Sequence, residues 1–285
     1  MQIKHRVLCQ PLDKPPAPFA IFLRSANYDK SINRRRFVNI LKTDFMTKRF
    51  LALLLLVSTF FPTLAADDLS AFMKSADGFF KKYVSNGSVA YANIKQNLSE
   101  IEALYKQVDE ITLLGVGDDM QKAFYINAYN VAVVYWVVKH YPLKSPLDNS
   151  GFFDKVKHKI AGEEMTLNSL EIKKLLLPFK DARFHFALAC AAKSCPPLAS
   201  FAYTPEGLDK QLNDRTTAAL NNPEWLKVNV ARKKIELSKI FEWYKKDFTT
   251  DGKTEIEWIN QFRKEKIPAT YAVGFYEYDW GLNEK

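Results

Sequence analysis

The segment 119-DMQKAFYINAYNVAVVYWVVKH-140 decides the fold class, because it is the longest stretch of the chain with a helical pattern. Apolar residues lie on nearly every side of this helix, and such a helix is buried at the centre of a protein. Pro142 and Pro146 follow the segment and end the helix. Its longest apolar run, 123–138, carries two asparagines and suits a buried helix better than a membrane span. We expect 119–140 to be the central helix of the fold.

Shorter patterns on either side predict a helix-dominated fold. Helical periodicity and helix-start signals predict further helices at 67–83, 95–111, 168–177, 205–220, 238–248 and 254–262. Alternation around Gly162 and across 228–237 predicts two β-hairpins, and 183-RFHFALAC-190 predicts a strand. The sequence therefore indicates the α+β class, as a helix-dominated single domain around a small, mainly antiparallel sheet.

Residues 46–66, MTKRFLALLLLVSTFFPTLAA, have the pattern of a Sec signal peptide that starts at its own methionine, Met46. A short basic region precedes an apolar run that is too short to span a bilayer, and small residues follow at the cleavage positions. Residues 1–45 are then predicted to be a disordered upstream extension, and 67–285 to be the single exported domain. The alternative is a basic cytoplasmic arm ahead of a membrane anchor.

The predicted cleavage changes the meaning of the charge. Of the 41 Lys and Arg, 11 lie in residues 1–66, against three of the 32 Asp and Glu, so residues 67–285 carry a net charge of +1 instead of +9. The basic charge is therefore no argument for nucleic acid. After signal removal we expect no membrane span and a periplasmic or secreted protein. Its only cysteines, Cys190 and Cys195, would face an oxidising compartment.

The stretch 183-RFHFALACAAKSCPPL-198 carries most of the reactive side chains. On a strand, Cys190 would share the core face with the phenylalanines, His185 would lie on the other face, and Cys195 would follow in a loop stiffened by two prolines. A thiol near His185 is a candidate nucleophile. The alternatives are a histidine satisfied by a backbone carbonyl and a Cys190–Cys195 disulfide across a turn. One histidine with Cys-x4-Cys lacks half of a zinc site, so we expect neither metal nor cofactor.

Three further polar residues are candidates with two readings each. Glu171 in 166-TLNSLE-171 would occupy a capping-box position if Asn168 is the N-cap, or it could orient an imidazole as the third member of a triad. Asn127 and Asn130 lie three residues apart on the apolar helix and need partners if they are buried. They could tie neighbouring loops together, or they could steady or polarise a site.

Five motifs in order give the chain a resemblance to a family, the bacterial and plant "domain of unknown function 547". They are 123-AFYINAYNV-131, 166-TLNSLE-171, 184-FHFALACAAKSCPPL-198, 237-LSKIFEWYKKDF-248 and 277-EYDWGLN-283. The resemblance implies a papain-like or transglutaminase-like arrangement, with Cys195 as nucleophile, His185 as base and Glu171 orienting the histidine. The chain departs from the family at Ile172, where His is frequent, and at Ala191, where Gly is frequent.

These observations lead to two functional hypotheses. The first is a periplasmic cysteine-dependent hydrolase or acyltransferase, acting on an amide or related acyl bond of a peptide or other acyl substrate, with Asn127 and Asn130 as helpers. The second is a non-catalytic periplasmic binding or scaffold protein with a Cys190–Cys195 disulfide. The sequence specifies neither the substrate nor the oligomeric state.

Overall fold

The computed structural model describes residues 67–285, and the predicted extension 1–45 and signal peptide 46–66 lie outside the described residues. Helices dominate, and none in the described part is long and apolar enough to cross a membrane. Their bounds are α1 67–83, α2 Tyr91–Gln96, α3 Leu98–Glu110, α4 Asp118–His140, α5 Leu167–Ser169, α6 Leu177–Phe179, α7 Leu208–Asn221, α8 Lys239–Trp243, α9 Lys245–Phe248 and α10 Glu255–Ile259. A π-helical segment, Leu170–Leu176, joins α5 to α6, and 3-10 helices occupy Pro146–Asp148, Ala182–Phe186 and Thr250–Gly252.

The strands form three separate small sheets rather than the single sheet that we predicted. They are β1 Val84–Ser85, β2 Ser88–Val89, β3 His158–Ile160, β4 Glu163–Met165, β5 Lys227–Asn229, β6 Lys234–Leu237 and β7 Ala272–Phe275. The two predicted hairpins are present as β3–β4 and β5–β6, both antiparallel. Sequence analysis missed β7, a short and half-exposed strand that pairs with β6 in parallel. The helix-rich α+β class is confirmed.

Helix α4 forms the centre of the main hydrophobic cluster, as its apolar pattern predicts. Helices α2 and α3 and the π-helical segment pack against it. Phe72 of α1 meets Phe124 of α4 edge to face, with ring centroids 5.5 Å apart. A second cluster forms around α8 to α10 and β6, where Phe241, Phe248 and Trp258 pack closely.

Two predicted helices are broken where the backbone leaves the helical region. The helix predicted at 95–111 consists of α2 and α3, separated at Asn97 with φ −118°. The helix predicted at 238–248 consists of α8 and α9, separated at Tyr244 with φ −110°. The break at Tyr244 matters for the site, because it sets the direction of α9.

The predicted strand 183–190 is wrong. Residues Ala182–Phe186 form a 3-10 helix, which the Asp181 side chain caps by accepting a hydrogen bond from the Arg183 N–H at 3.0 Å. Alternating faces do not exist in such a helix, so Phe184 packs in the main cluster and Phe186 in the second. His185 lies between them and is itself buried.

Asn127 and Asn130 connect the central helix to the two flanks of the cysteine-containing loop. The Asn130 amide donates to the Ala187 carbonyl and accepts from the Ala189 N–H, both at 2.9 Å. Asn127 makes the same two-way contact with the Tyr203 backbone, at 2.8 and 2.9 Å. Both asparagines are fully buried, so the reading as loop ties describes what the structure shows.

Replacing Asn130 with alanine should destabilise the protein by about 3 kcal/mol, because a buried carbonyl and a buried N–H each lose their partner. Asn93→Ala, at an exposed position of α2, is the matched control and should change stability by less than about 0.5 kcal/mol. Urea unfolding of the full chain measures both. Equal stability of the two variants would contradict the assigned role of Asn130.

Another buried polar residue is His158 on β3. Its Nδ1 is 3.0 Å from the Tyr105 hydroxyl, and its Nε2 has no hydrogen-bond partner among the described residues. Burial lowers the pKa of His158 from its usual 6.5 to about 4. The ring is therefore neutral in the folded protein wherever the pH is above that value.

This histidine should make stability depend on pH. Between pH 6.5 and about 4 only the unfolded state binds the proton. The free energy of unfolding therefore decreases as the pH is lowered across this window, by roughly 3 kcal/mol in all. His158→Gln should remove most of that slope, while His140→Gln, at an exposed position, should keep it. Equal slopes in both variants, measured by urea unfolding across the window, would exclude this account.

Candidate functional site

His185 is held between two carboxylates. Its Nε2 lies 2.8 Å from Asp247 Oδ2, and its Nδ1 lies 3.6 Å from Glu171 Oε1. The rings of Tyr244 and Phe248 cover its faces, with centroids at 4.2 and 5.3 Å. The imidazole is therefore fixed in orientation between two acids.

Glu171 reaches His185 from the π-helical segment. The predicted capping box at Asn168 is wrong, because Thr166 is the N-cap and its hydroxyl accepts from the Ser169 N–H at 3.1 Å. Burial raises the pKa of Glu171, against the opposing effects of His185 and of a hydrogen bond from Tyr244. A carboxylate placed in this way stabilises a positive charge on the imidazole when it is ionised.

The two cysteines have the opposite environments to those predicted. Cys195 is buried, whereas Cys190 is half-buried, and both are free thiols. The prediction failed because it relied on strand alternation, and residues 183–190 do not form a strand. The Cys190 N–H donates to Cys195 Sγ at 2.8 Å, and Cys190 Sγ lies 3.1 Å from the Tyr278 hydroxyl.

These environments separate the pKa values of the two thiols. Burial and the neighbouring Cys190 raise the pKa of Cys195 well above its usual range. Burial also acts against ionisation of Cys190, but hydrogen bonds from Cys195, from Tyr278 and from the Ala192 backbone outweigh it and lower the pKa of Cys190.

The C-terminal segment clamps the loop 191–195. The N–H groups of Lys193 and Ser194 donate to the Gly281 and Asp279 carbonyls at 2.8 and 3.1 Å. The Asn283 N–H donates to the Ala191 carbonyl at 3.0 Å. Ala191 has φ +61°, a left-handed conformation that favours glycine, which explains in physical terms why glycine suits this position.

One pocket brings most of the predicted site together, since Glu171, His185, Cys190 and Cys195 all line it. Its walls are mainly aromatic and are formed by Tyr129, Phe153, Trp243, Tyr244, Tyr278 and Trp280. Asn127 and Asn130 are not among the described residues that line it, so they act on the pocket through the loops that they hold. The Cys195 N–H donates to the Ala192 carbonyl at 3.1 Å.

Sequence reasoning missed Asp247 and Tyr278. Both lie in recognised motifs, 237-LSKIFEWYKKDF-248 and 277-EYDWGLN-283, but nothing in one sequence shows that these motifs meet residues 185 and 190. Within residues 67–285 no group of three or more His, Cys, Asp and Glu side chains is placed to hold a metal ion. The arrangement suits proton transfer and thiol chemistry.

Comparison with known proteins agrees with the motif-based assignment. Searches of curated proteins and of solved structures find no match. Residues 114–218 match a family model described as "Protein of unknown function, DUF547". The matched range contains Asn127, Asn130, Glu171, His185 and both cysteines. The match confirms the resemblance to this family over residues 114–218, which hold three of the five motifs.

Proposed function

We propose that the protein is a cysteine-dependent hydrolase or acyltransferase that acts on an amide or related acyl bond. The observation that carries the proposal is the shared pocket, whose lining includes Cys195, His185 and Glu171. Nucleophilic catalysis needs a thiol with a base nearby and a third group that orients the base.

In the proposed reaction His185 takes the proton of Cys195, and the thiolate attacks the carbonyl carbon of the substrate. The N–H of Cys190, 2.8 Å from Cys195 Sγ, stabilises that thiolate. Glu171, 3.6 Å from Nδ1, stabilises the imidazolium, which then returns the proton to the leaving group. Water or a second acceptor removes the acyl group from sulfur.

In the proposed reaction Asp247 must release His185 before the imidazole can accept the proton of Cys195. Its hydrogen bond occupies Nε2 of His185, the nitrogen that lies away from Glu171. The Asp247 side chain is 36% exposed, so water can solvate it when the imidazole turns to the thiol.

We propose that the domain has a papain-like or transglutaminase-like arrangement, and that it acts in the periplasm or outside the cell after export through a Sec signal starting at Met46. The motif order and the pattern of residues 46–66 support these two assignments. The substrate is proposed to be a peptide or another acyl compound that fits between aromatic walls.

Acylation by an aryl ester tests the proposal with the purified full chain. Mass spectrometry should find the acyl group on Cys195, and Cys195→Ala should abolish it. His185→Gln should slow acylation by roughly 100-fold or more, because the base is lost. Glu171→Gln should slow it less, because the imidazole keeps its position.

His140→Gln is the matched control, since it removes an exposed histidine from the same chain and should leave the rate unchanged. Full acylation of His185→Gln at the rate of the unchanged protein would rule out His185 as the base. If neither Cys190 nor Cys195 is titratable in the freshly purified protein carrying Cys9→Ser, the result would instead favour the scaffold hypothesis with its Cys190–Cys195 disulfide.

A further inference from the structure

The acyl reaction proposed above assigns no role to Cys190, although this residue lines the same pocket. Cys190 differs from Cys195 in exposure, since it is half-buried where Cys195 is buried. It also has its own polar partner, the Tyr278 hydroxyl at 3.1 Å. Cys190 is therefore a second thiol in the pocket that is placed to take part in chemistry.

The two thiols are hydrogen-bonding neighbours. Cys195 Sγ lies 2.8 Å from the backbone nitrogen of Cys190, so it sits beside the residue that carries the other sulfur. The Tyr278 side chain interacts with both thiols. Five residues separate the cysteines in sequence, and the left-handed Ala191 turns the chain between them. Geometry of this kind lets a disulfide form without large backbone movement.

We propose that Cys190 and Cys195 form a thiol–disulfide exchange pair, in which Cys190 attacks a disulfide carried by a small or peptide-sized molecule and Cys195 resolves the adduct. This is an activity beyond the acyl chemistry, and it uses Cys195 differently. The asymmetry of the pair supports it, because exchange needs an accessible thiol that ionises readily and a protected one that completes the reaction.

The exchange balances without any further reactant. The Cys190 thiolate bonds to one sulfur of the disulfide, and the other sulfur leaves as a thiolate that takes the proton given up by Cys190. Cys195, deprotonated in turn, bonds to Cys190 sulfur and releases the second sulfur as a thiol. The protein loses two electrons and two protons, and the disulfide substrate gains them.

The surroundings favour this order of attack. Cys190 has three hydrogen-bonding groups around its sulfur, namely the thiol of Cys195, the Tyr278 hydroxyl and the Ala192 N–H, and together they lower the pKa of Cys190. Burial and Cys190 itself raise the pKa of Cys195. The clamp of 279–283 on the loop keeps this arrangement in place.

Trapping of the mixed disulfide tests the pair. The probe is glutathione disulfide, and every variant is the full chain with Cys9→Ser added, so that no thiol other than those of Cys190 and Cys195 is present. Cys195→Ser should retain one glutathione at Cys190, because the resolving thiol is gone. Cys190→Ser should form an adduct at least ~10-fold more slowly. The chain with both thiols should release two glutathione thiols per molecule and form the internal disulfide.

Tyr278→Phe checks the local cause and should slow adduct formation at Cys190 several-fold; Tyr271→Phe, a half-buried tyrosine of the second cluster, is its control. Adduct collecting on Cys195 in Cys190→Ser as fast as on Cys190 in Cys195→Ser would overturn the proposal. So would glutathione retained by the chain with both thiols. Exchange without ester acylation would support the exchange pair and refute the acyl reaction. Ester acylation without an internal disulfide would support the acyl reaction and refute the exchange pair.

Discussion

The site depends on one buried amide. Asn130 donates to the carbonyl of Ala187 and accepts from the N–H of Ala189, so it holds the backbone between His185 and Cys190 against the central helix. The backbone there has no regular strand or helix to satisfy its polar groups, and a buried backbone without partners is costly. A side-chain amide carries one donor and one acceptor side by side and solves this with a single residue. The helix thereby sets the position of the reactive loop.

The other polar groups of the pocket come from separate parts of the chain around this loop. The 3-10 helix before Ala187 puts its phenylalanines into two different hydrophobic clusters and leaves His185 between them. Glu171 and Asp247 arrive from opposite sides, from the π-helical segment and from α9. The C-terminal segment then closes the loop from the outside and brings Tyr278 to Cys190. Four separate parts of the chain must fold correctly before the pocket exists, so we expect its chemistry to be lost before the helices unfold.

The sequence was informative where a pattern is long or local, and uninformative where contacts span the chain. A central helix at 119–140 follows from apolar residues on all its sides, and the hairpin at Gly162 from alternation, and both are present. The strand predicted at 183–190 failed because its alternating pattern also fits a short 3-10 helix that a capping aspartate begins. Because of this wrong strand, the predicted environments of Cys190 and Cys195 were interchanged. Asp247 and Tyr278 lie 62 and 88 residues from their partners, and periodicity carries no information over such separations.

The central claim is that Cys195 and His185 work as a nucleophile and its base in one pocket. The most direct measurement is the rate of iodoacetamide alkylation at each cysteine, followed from acid to alkaline pH by peptide mass spectrometry in the full chain and in His185→Gln. The account predicts that the substitution lowers the rate at Cys195 near neutral pH and leaves Cys190, whose sulfur is held by Tyr278, less affected. An unchanged Cys195 profile in His185→Gln would contradict it.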